Sequence, residues 1–234
     1  MISKADSHSL THSKVHKQLG EESIFEYKLL LLGDGGVGNS TLLRRFKSFG
    51  SDQRYVYYNG ATVLPLTFIT SQGKITLNIW DFPKNFRQFG FRDHSYIGTD
   101  CAMIMFDVTA RITYKNVPVW YRDICRVCEK IPVILVGNKI DSPDKHVKAR
   151  HVTFGKKRCL DYFEMSAKAN YNIIEPFREL MRKLVGDPEL EILESPELEL
   201  PEKEIISKVI ATLMDEKHGL SYSPPHSDDD DDIL

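Results

Sequence analysis

A glycine-rich loop is the part of this sequence with the clearest capacity for chemistry. Residues Gly33–Ser40, which we call the phosphate loop, lie between an apolar run and a helical pattern. Glycines let backbone amides converge on one anion, and the start of a helix adds positive potential. An ordinary glycine-rich turn between strand and helix is the alternative. The predicted ligand contacts are Asp34, Gly35, Gly36, Val37, Gly38, Asn39, Ser40 and Thr41.

Two later segments have residue types that could select a base. Asn138–Asp141 and Ser166–Lys168, which we call the base-contacting segments, each follow a predicted strand. A carboxylate accepts hydrogen bonds from N1 and the 2-amino group of guanine, whereas adenine has no donor there. Asp141 therefore favours guanine. The residues expected to hold these loops and the base edge are Asn138, Lys139, Ser166, Ala167 and Lys168.

The elements that must position these residues alternate along the chain. Unbroken apolar runs suit strands covered on both faces, and they occur at Leu29–Leu32, Cys101–Phe106 and Ile131–Val136. Residues 62–69 and 74–80 flank a turn and predict an antiparallel hairpin. Helical patterns are found at 40–49, 117–129 and 173–184. This alternation predicts an α/β domain, with loops gathered at the carboxyl ends of the strands.

The chain divides into three parts by composition. Residues 1–23 are polar and predict a disordered tail, and residues 24–186 predict the α/β domain. Residues 187–234 predict an extension that begins with an acidic, proline-containing linker. The extension continues as a helix with an apolar stripe at 202–217 and ends in the acidic run Asp228–Asp232.

Bulk composition indicates an ordinary globular protein. Apolar residues make up 41% of the chain and charged residues 27%. The net charge of -2 gives no general argument for contact with nucleic acid. No apolar run approaches the roughly 20 residues of a membrane span, so we expect no membrane contact. Cys125 and Cys128 lie late in a helical pattern without a second ligand pair, which predicts reduced thiols in an intracellular protein.

These motifs resemble those of a known family. The phosphate loop and the base-contacting segments resemble the small GTPases. The stretch Ile104–Pro118, and Arg178–Pro188 leading into a long extension with an acidic end, resemble the Ran family in particular. The chain is identified as a divergent member of that family. The resemblance implies a P-loop small-GTPase fold: a mostly parallel six-stranded sheet with helices on both faces, plus a C-terminal helical extension.

The resemblance also implies a function. It indicates a monomeric guanine-nucleotide switch protein of the nucleus and cytoplasm that acts in nucleocytoplasmic transport. Its cofactors would be GTP or GDP with Mg²⁺, held by Ser40 and, through water, by Asp81. Its partners would be importin-β-type transport receptors, an exchange factor, a GTPase-activating protein and Ran-binding domains.

The sequence departs from the family at the positions that handle phosphate. Asn39 replaces the lysine of the phosphate loop, and losing a charge-assisted hydrogen bond of roughly 1.5–3 kcal/mol would weaken affinity about ten- to a hundredfold. Tyr58 aligns with the threonine that completes magnesium coordination, and Lys84 with a glycine. Asn85 stands at the glutamine that positions the attacking water and is one methylene shorter. Hydrolysis should therefore suffer more than binding.

Three questions stay open at this point. A pseudo-GTPase that binds transport receptors independently of nucleotide is the main alternative, and an ATP-using phosphotransferase is opposed by Asp141. Lys84 could restore the charge lost at Asn39, or it could be a solvated lysine. The basic residues between Lys145 and Arg158 could form a solvated face or contact an acidic partner, such as Asp228–Asp232 of the same chain.

Overall fold

An eight-stranded sheet organises the protein. The computed structural model describes residues 24–46, 56–58, 61–82, 95–201 and 205–207, and for 56–58 it describes the backbone. The strands are β1 (Ile24–Gly33), β2 (Val56–Tyr58), β3 (Ala61–Thr70), β4 (Gly73–Asp81), β5 (Cys101–Asp107), β6 (Val133–Asn138), β7 (Asp161–Glu164) and β8 (Ile192–Glu194). Seven of them lie in the order β2-β3-β4-β1-β5-β6-β7, and β8 pairs with β3.

The sheet corrects one part of the predicted fold. The α/β class is confirmed, and β3 and β4 form the expected antiparallel hairpin. The count of six strands was wrong, and the sheet is mixed: β1, β4, β5, β6 and β7 pair in parallel, whereas β3 is antiparallel to β2, β4 and β8. The two additional strands, β2 and β8, have three residues each. So short a strand shows no alternation of its own, and its pairing with β3 defines it.

Helices connect the strands and cover both faces. They are α1 (Asn39–Arg44), α2 (Arg111–Lys115), α3 (Val117–Val127), α4 (Thr153–Arg158) and α5 (Ile174–Val185). The predicted helices at 117–129 and 173–184 correspond to α3 and α5. α5 ends at Gly186, which has a left-handed backbone with φ of 76°, the conformation that most often stops a helix.

Two hydrophobic cores lie on opposite faces of the sheet. Because successive side chains of a strand point to opposite faces, Leu29 and Leu31 join the core beneath α1 and α5, while Leu30 and Leu32 join the core beneath α3. All four side chains are buried. The unbroken apolar run of β1 therefore reflects its central position, where helices exclude water from both sides.

The first part of the C-terminal extension packs against the domain. Leu190 is fully buried in the core that contains α5, and β8 pairs with the end of β3. Farther along, Leu198 pairs with Phe46, and the Glu199 amide donates to the Arg45 carbonyl at 2.7 Å. The predicted linker is thus extended and lies on the domain surface.

Other predictions for the two ends of the chain lie largely outside the described residues. The tail at 1–23 and the acidic run Asp228–Asp232 fall outside them, and of the helix at 202–217 the structure describes one helical stretch, at 205–207. The proposed boundaries between tail, domain and extension stay predictions. In the part of the chain that is described, no helix has the length and apolar character needed to cross a membrane.

Leu190 provides a test of whether the extension stabilises the domain. We expect Leu190→Ala to lower the free energy of unfolding by roughly 2–5 kcal/mol, because it leaves a cavity in a packed core. Leu193, which is 63% exposed, is the matched control. We expect Leu193→Ala to change the free energy of unfolding by less than about 0.5 kcal/mol. Urea unfolding of both variants measures this. Equal effects of the two substitutions would contradict the docked position of the segment.

Candidate functional site

The phosphate loop forms one wall of a cavity at the carboxyl end of β1. The cavity has a volume of about 230 Å³, and its lining includes Gly35, Gly36, Ser40 and Asp81. Gly38 precedes α1 with φ of 114°, and a Cβ at this position would overlap the side-chain amide of Asn138. This close approach requires glycine for both backbone and steric reasons. The structure therefore places the phosphate loop along this cavity, and the contacts of its amides with phosphate stay a prediction.

Asn138 connects the phosphate loop to the second base-contacting segment. It ends β6, and its side chain is 2% exposed. Its Nδ2 donates to the Val37 carbonyl at 2.8 Å, and its Oδ1 accepts from the Ala167 amide at 2.9 Å. Because both ends of the amide are satisfied by backbone groups of different loops, the two loops are fixed relative to each other. Sequence reasoning predicted that Asn138 holds loops, and the contacts specify which ones.

Asp141, the carboxylate predicted to select guanine, is oriented by its own neighbours. Ser166 Oγ donates to Asp141 Oδ1 at 2.6 Å and accepts from the Ala169 amide at 3.0 Å. Ser166 is fully buried and Asp141 partly buried, so the serine holds one carboxylate oxygen while the group stays reachable. A short hydrogen bond to an ionised carboxylate is among the stronger ones in proteins. Asp141 is thus presented in a fixed orientation.

Lysines complete the two base-contacting segments. Lys139 has a left-handed backbone with φ of 71°, an uncommon conformation for a residue with a side chain. Its ammonium forms an ion pair with Asp107 Oδ2 at 2.5 Å, which ties the segment to the end of β5. Lys168 is exposed. Neither the Asp141 carboxylate nor these lysines belong to the lining of the 230 Å³ cavity, which borders the phosphate loop.

Asn39 points toward the strands beneath the loop. Its Nδ2 lies 3.4 Å from the Leu31 carbonyl and 3.5 Å from Asp81 Oδ1, both at the long end of hydrogen-bond distance. Its Oδ1 is buried and has no hydrogen-bond partner among the described residues. The neutral amide therefore adds no positive charge to the cavity.

Ser40 and Asp81 meet where the magnesium ligands were predicted. Ser40 Oγ lies 3.5 Å from Asp81 Oδ2. Burial raises the pKa of Asp81 to about 6, and hydrogen bonds from Asn39 and Ser40 oppose this shift only partly. A hydroxyl and a desolvated carboxylate are hard oxygen donors that suit Mg²⁺ with water and phosphate as further ligands. These residues fit the ion.

The structure also bears on the other magnesium position. Thr62 stands opposite Asp81 in the antiparallel pair of β3 and β4, so the two residues share a face of the sheet. Thr62 lies four residues after Tyr58, the position that aligns with the switch threonine of the family, and this pairing brings it next to the predicted ligand. The side chain of Tyr58 lies outside the described residues, as do Pro83, Lys84 and Asn85.

Two further residues contact the phosphate loop from α3. Asn116 Nδ2 donates to Asp34 Oδ2 at 2.6 Å, and Trp120 Nε1 donates to Asp34 Oδ1 at 2.9 Å. Sequence reasoning used Asn116 only as part of the Ran-like stretch and gave Trp120 no role. The available signal was their spacing of four residues, which places both on one side of a helix.

The basic segment between Lys145 and Arg158 is a separate surface. Lys148, Arg150, Lys156, Lys157 and Arg158 are exposed. They surround α4, and none of them lines the cavity beside the phosphate loop. Contact with an acidic partner stays a prediction.

The raised pKa of Asp81 makes the stability of the ligand-free protein depend on pH. Because the folded protein binds this proton more tightly than the unfolded chain, the free energy of unfolding should fall as pH rises from about 4 to about 6. Asp81→Asn removes the titration. In chemical unfolding with a chelator present, its stability relative to the unmodified chain should rise by about 2–3 kcal/mol between pH 4 and pH 7. A difference independent of pH would contradict the raised pKa.

Comparison with known protein families agrees with this geometry. Residues 28–186 match the Ras family, which spans the phosphate loop, both base-contacting segments and all of β1 to β7 except the first residues of β1. The match covers more than half of the 234 residues. Proteins of this family are small GTPases that bind GTP or GDP together with Mg²⁺. The chain therefore belongs to the Ras family of small GTPases.

Proposed function

We propose that this chain is a Ran-type guanine-nucleotide switch protein that acts in nucleocytoplasmic transport, in both the nucleus and the cytoplasm. The observation that supports nucleotide binding is the Asn138 amide, which joins the phosphate loop to the segment carrying Ser166 and Ala167. The Ran assignment is supported by the stretch Ile104–Pro118 and by the long C-terminal extension with its acidic end.

Binding would combine three kinds of contact. Backbone amides of the phosphate loop bind the phosphates, because glycine allows them to converge. Asp141 accepts hydrogen bonds from guanine, and Ser166 keeps that carboxylate in place. Ser40 would hold Mg²⁺ directly, and Asp81 would hold it through water. The ion supplies positive charge that offsets the phosphates and the buried Asp81 carboxylate.

Hydrolysis would be weaker than binding. Stabilising the transition state of phosphoryl transfer depends on positive charge and on a positioned water. Asn39 adds no charge, and its amide is directed to Leu31 and Asp81. Asn85 is the degenerate water-positioning residue, and its amide is one methylene shorter than the glutamine of the family. Binding relies mainly on backbone amides and Asp141, which this chain retains.

The partners proposed from the resemblance are importin-β-type transport receptors, an exchange factor, a GTPase-activating protein and Ran-binding domains. Nucleotide state would change their affinity by reorganising residues 53–63 and 81–96 around the γ-phosphate. We propose that the protein is a monomer that binds neither nucleic acid nor membrane.

Nucleotide extracted from purified protein tests the function most directly. We expect chromatography to show GDP or GTP, and Asp141→Ala to weaken GDP binding at least about tenfold because a charged hydrogen-bond acceptor is lost. ADP affinity should not change. Asp144→Ala removes an exposed carboxylate three residues away and is the matched control. A reproducibly empty site with no affinity for either nucleotide would favour the pseudo-GTPase.

Two substitutions separate binding from hydrolysis. We expect Asn39→Lys to raise GTP affinity about ten- to a hundredfold by adding a charge-assisted hydrogen bond. Asn85→Gln should raise the single-turnover rate of hydrolysis and change affinity by less than about twofold. Calorimetry and quenched-flow measurement with labelled GTP give both quantities. An Asn39→Lys variant with unchanged affinity would show that the neutral amide is not what limits binding.

A further inference from the structure

The phosphate loop carries a negative charge whose two oxygens are both engaged by one helix. Asp34 Oδ2 accepts from Asn116 at 2.6 Å, and Asp34 Oδ1 accepts from Trp120 at 2.9 Å. Asn116 immediately precedes α3, and Trp120 lies four residues later, so both donors come from the first turn. Asp34 and Trp120 also belong to the lining of the cavity where phosphates would bind. The contact is therefore part of the site.

The side chain of Asn116 makes a tertiary contact and does not cap its own helix. It occupies the N-cap position of α3, where an asparagine side chain commonly accepts a hydrogen bond from the helix backbone. Here it makes no such bond, and its amide reaches 82 residues back along the chain to Asp34. The Asn116 backbone is helical, with φ of -84° and ψ of -11°, which differs from the extended backbone typical of a capping residue, so its side chain serves the tertiary contact with Asp34.

A carboxylate in an anion-binding loop needs to be restrained. Phosphates and Asp34 carry charges of the same sign, so a freely moving Asp34 side chain would repel the ligand. The effect is larger in this chain than in one with a lysine at position 39, because Asn39 supplies no opposing charge. Two donors that hold both carboxylate oxygens toward α3 lower this repulsion and also fix the loop at its first turn.

We propose that Asn116 and Trp120 are positioning residues that hold Asp34 against α3 and so allow nucleoside di- and triphosphates to bind to a loop without its lysine. The inference rests on the nucleotide binding proposed above. A freely moving Asp34 side chain would lower nucleotide affinity, and α3 would raise that affinity by restraining it. A purely structural role for the two residues predicts a loss that does not depend on the charge at position 34.

The test measures whether the loss of nucleotide affinity on removing the two donors depends on the presence of Asp34. Nucleotide affinity is measured for the unmodified chain, for Asn116→Ala with Trp120→Phe, for Asp34→Ala, and for all three substitutions together. We expect loss of both donors to weaken GDP binding about tenfold or more when Asp34 is present, and less than about twofold in the Asp34→Ala background. GTP, with its extra charge, should be affected more than GDP.

Salt provides a second readout. Between about 0.05 M and about 0.5 M salt, the penalty from an unrestrained carboxylate should shrink because screening weakens repulsion, whereas lost packing would persist. Tyr121→Phe is the matched control, because it removes one polar atom from an aromatic ring on the same helix. If the double variant does not fold, Trp120→Phe alone is measured with and without Asp34→Ala. We expect a smaller loss of nucleotide affinity that again depends on Asp34.

The outcomes separate this inference from the function on which it rests. A tenfold loss that disappears in the Asp34→Ala background and shrinks with salt supports the positioning role. An equal loss with and without Asp34, or no loss, overturns the inference while nucleotide binding by the unmodified chain upholds the proposed function. An unmodified chain that binds neither GDP nor GTP overturns both.

Discussion

The side-chain amide of Asn138 fixes the site, because it satisfies backbone groups of two loops that are distant in sequence. Its NH₂ group reaches the loop after β1, and its oxygen reaches the loop after β7. The close approach also explains why position 38 must be glycine. Because Asn138 is only 2% exposed, water competes little for its amide, and both hydrogen bonds are stronger than they would be at the surface. This one side chain links the phosphate loop directly to the segment that contains Ala167.

Charge determines how such a site can work. The familiar arrangement puts a lysine beneath the phosphates, whereas here a neutral amide lies close to the partly buried Asp81. Burial raises the pKa of that carboxylate to about 6, and its hydrogen bonds with Asn39 and Ser40 offset this shift only partly. Positive potential for binding would then come from a divalent ion, from the backbone amides of the phosphate loop and from Arg44, which also lines the cavity. Transition-state charge makes the greater demand on that potential, which is the physical reason for the proposal that hydrolysis is weakened more than binding.

Packing connects the site to the rest of the chain. Arg45, at the end of α1, donates to the Ala167 carbonyl at 2.8 Å, and its own carbonyl accepts from the Glu199 amide. Arg45 thus contacts both the C-terminal extension and the segment that would contact the base. On the other face, α3 contributes the donors to Asp34. Both loops of the site are supported by elements that lie outside the motifs themselves.

The sequence by itself determined the α/β class, the hairpin and the three motifs, because these depend on local patterns. Apolar runs indicate strands covered on both faces, and glycine spacing and a carboxylate after a strand carry chemistry that one segment can show. Only the tertiary structure decided the mixed sheet, the pairing of β8 with β3, and the position of Thr62 opposite Asp81. It also decided that Asn116 and Trp120 hold Asp34. These features depend on hydrogen bonds between residues far apart in the chain, and no local pattern specifies which distant donor finds which acceptor.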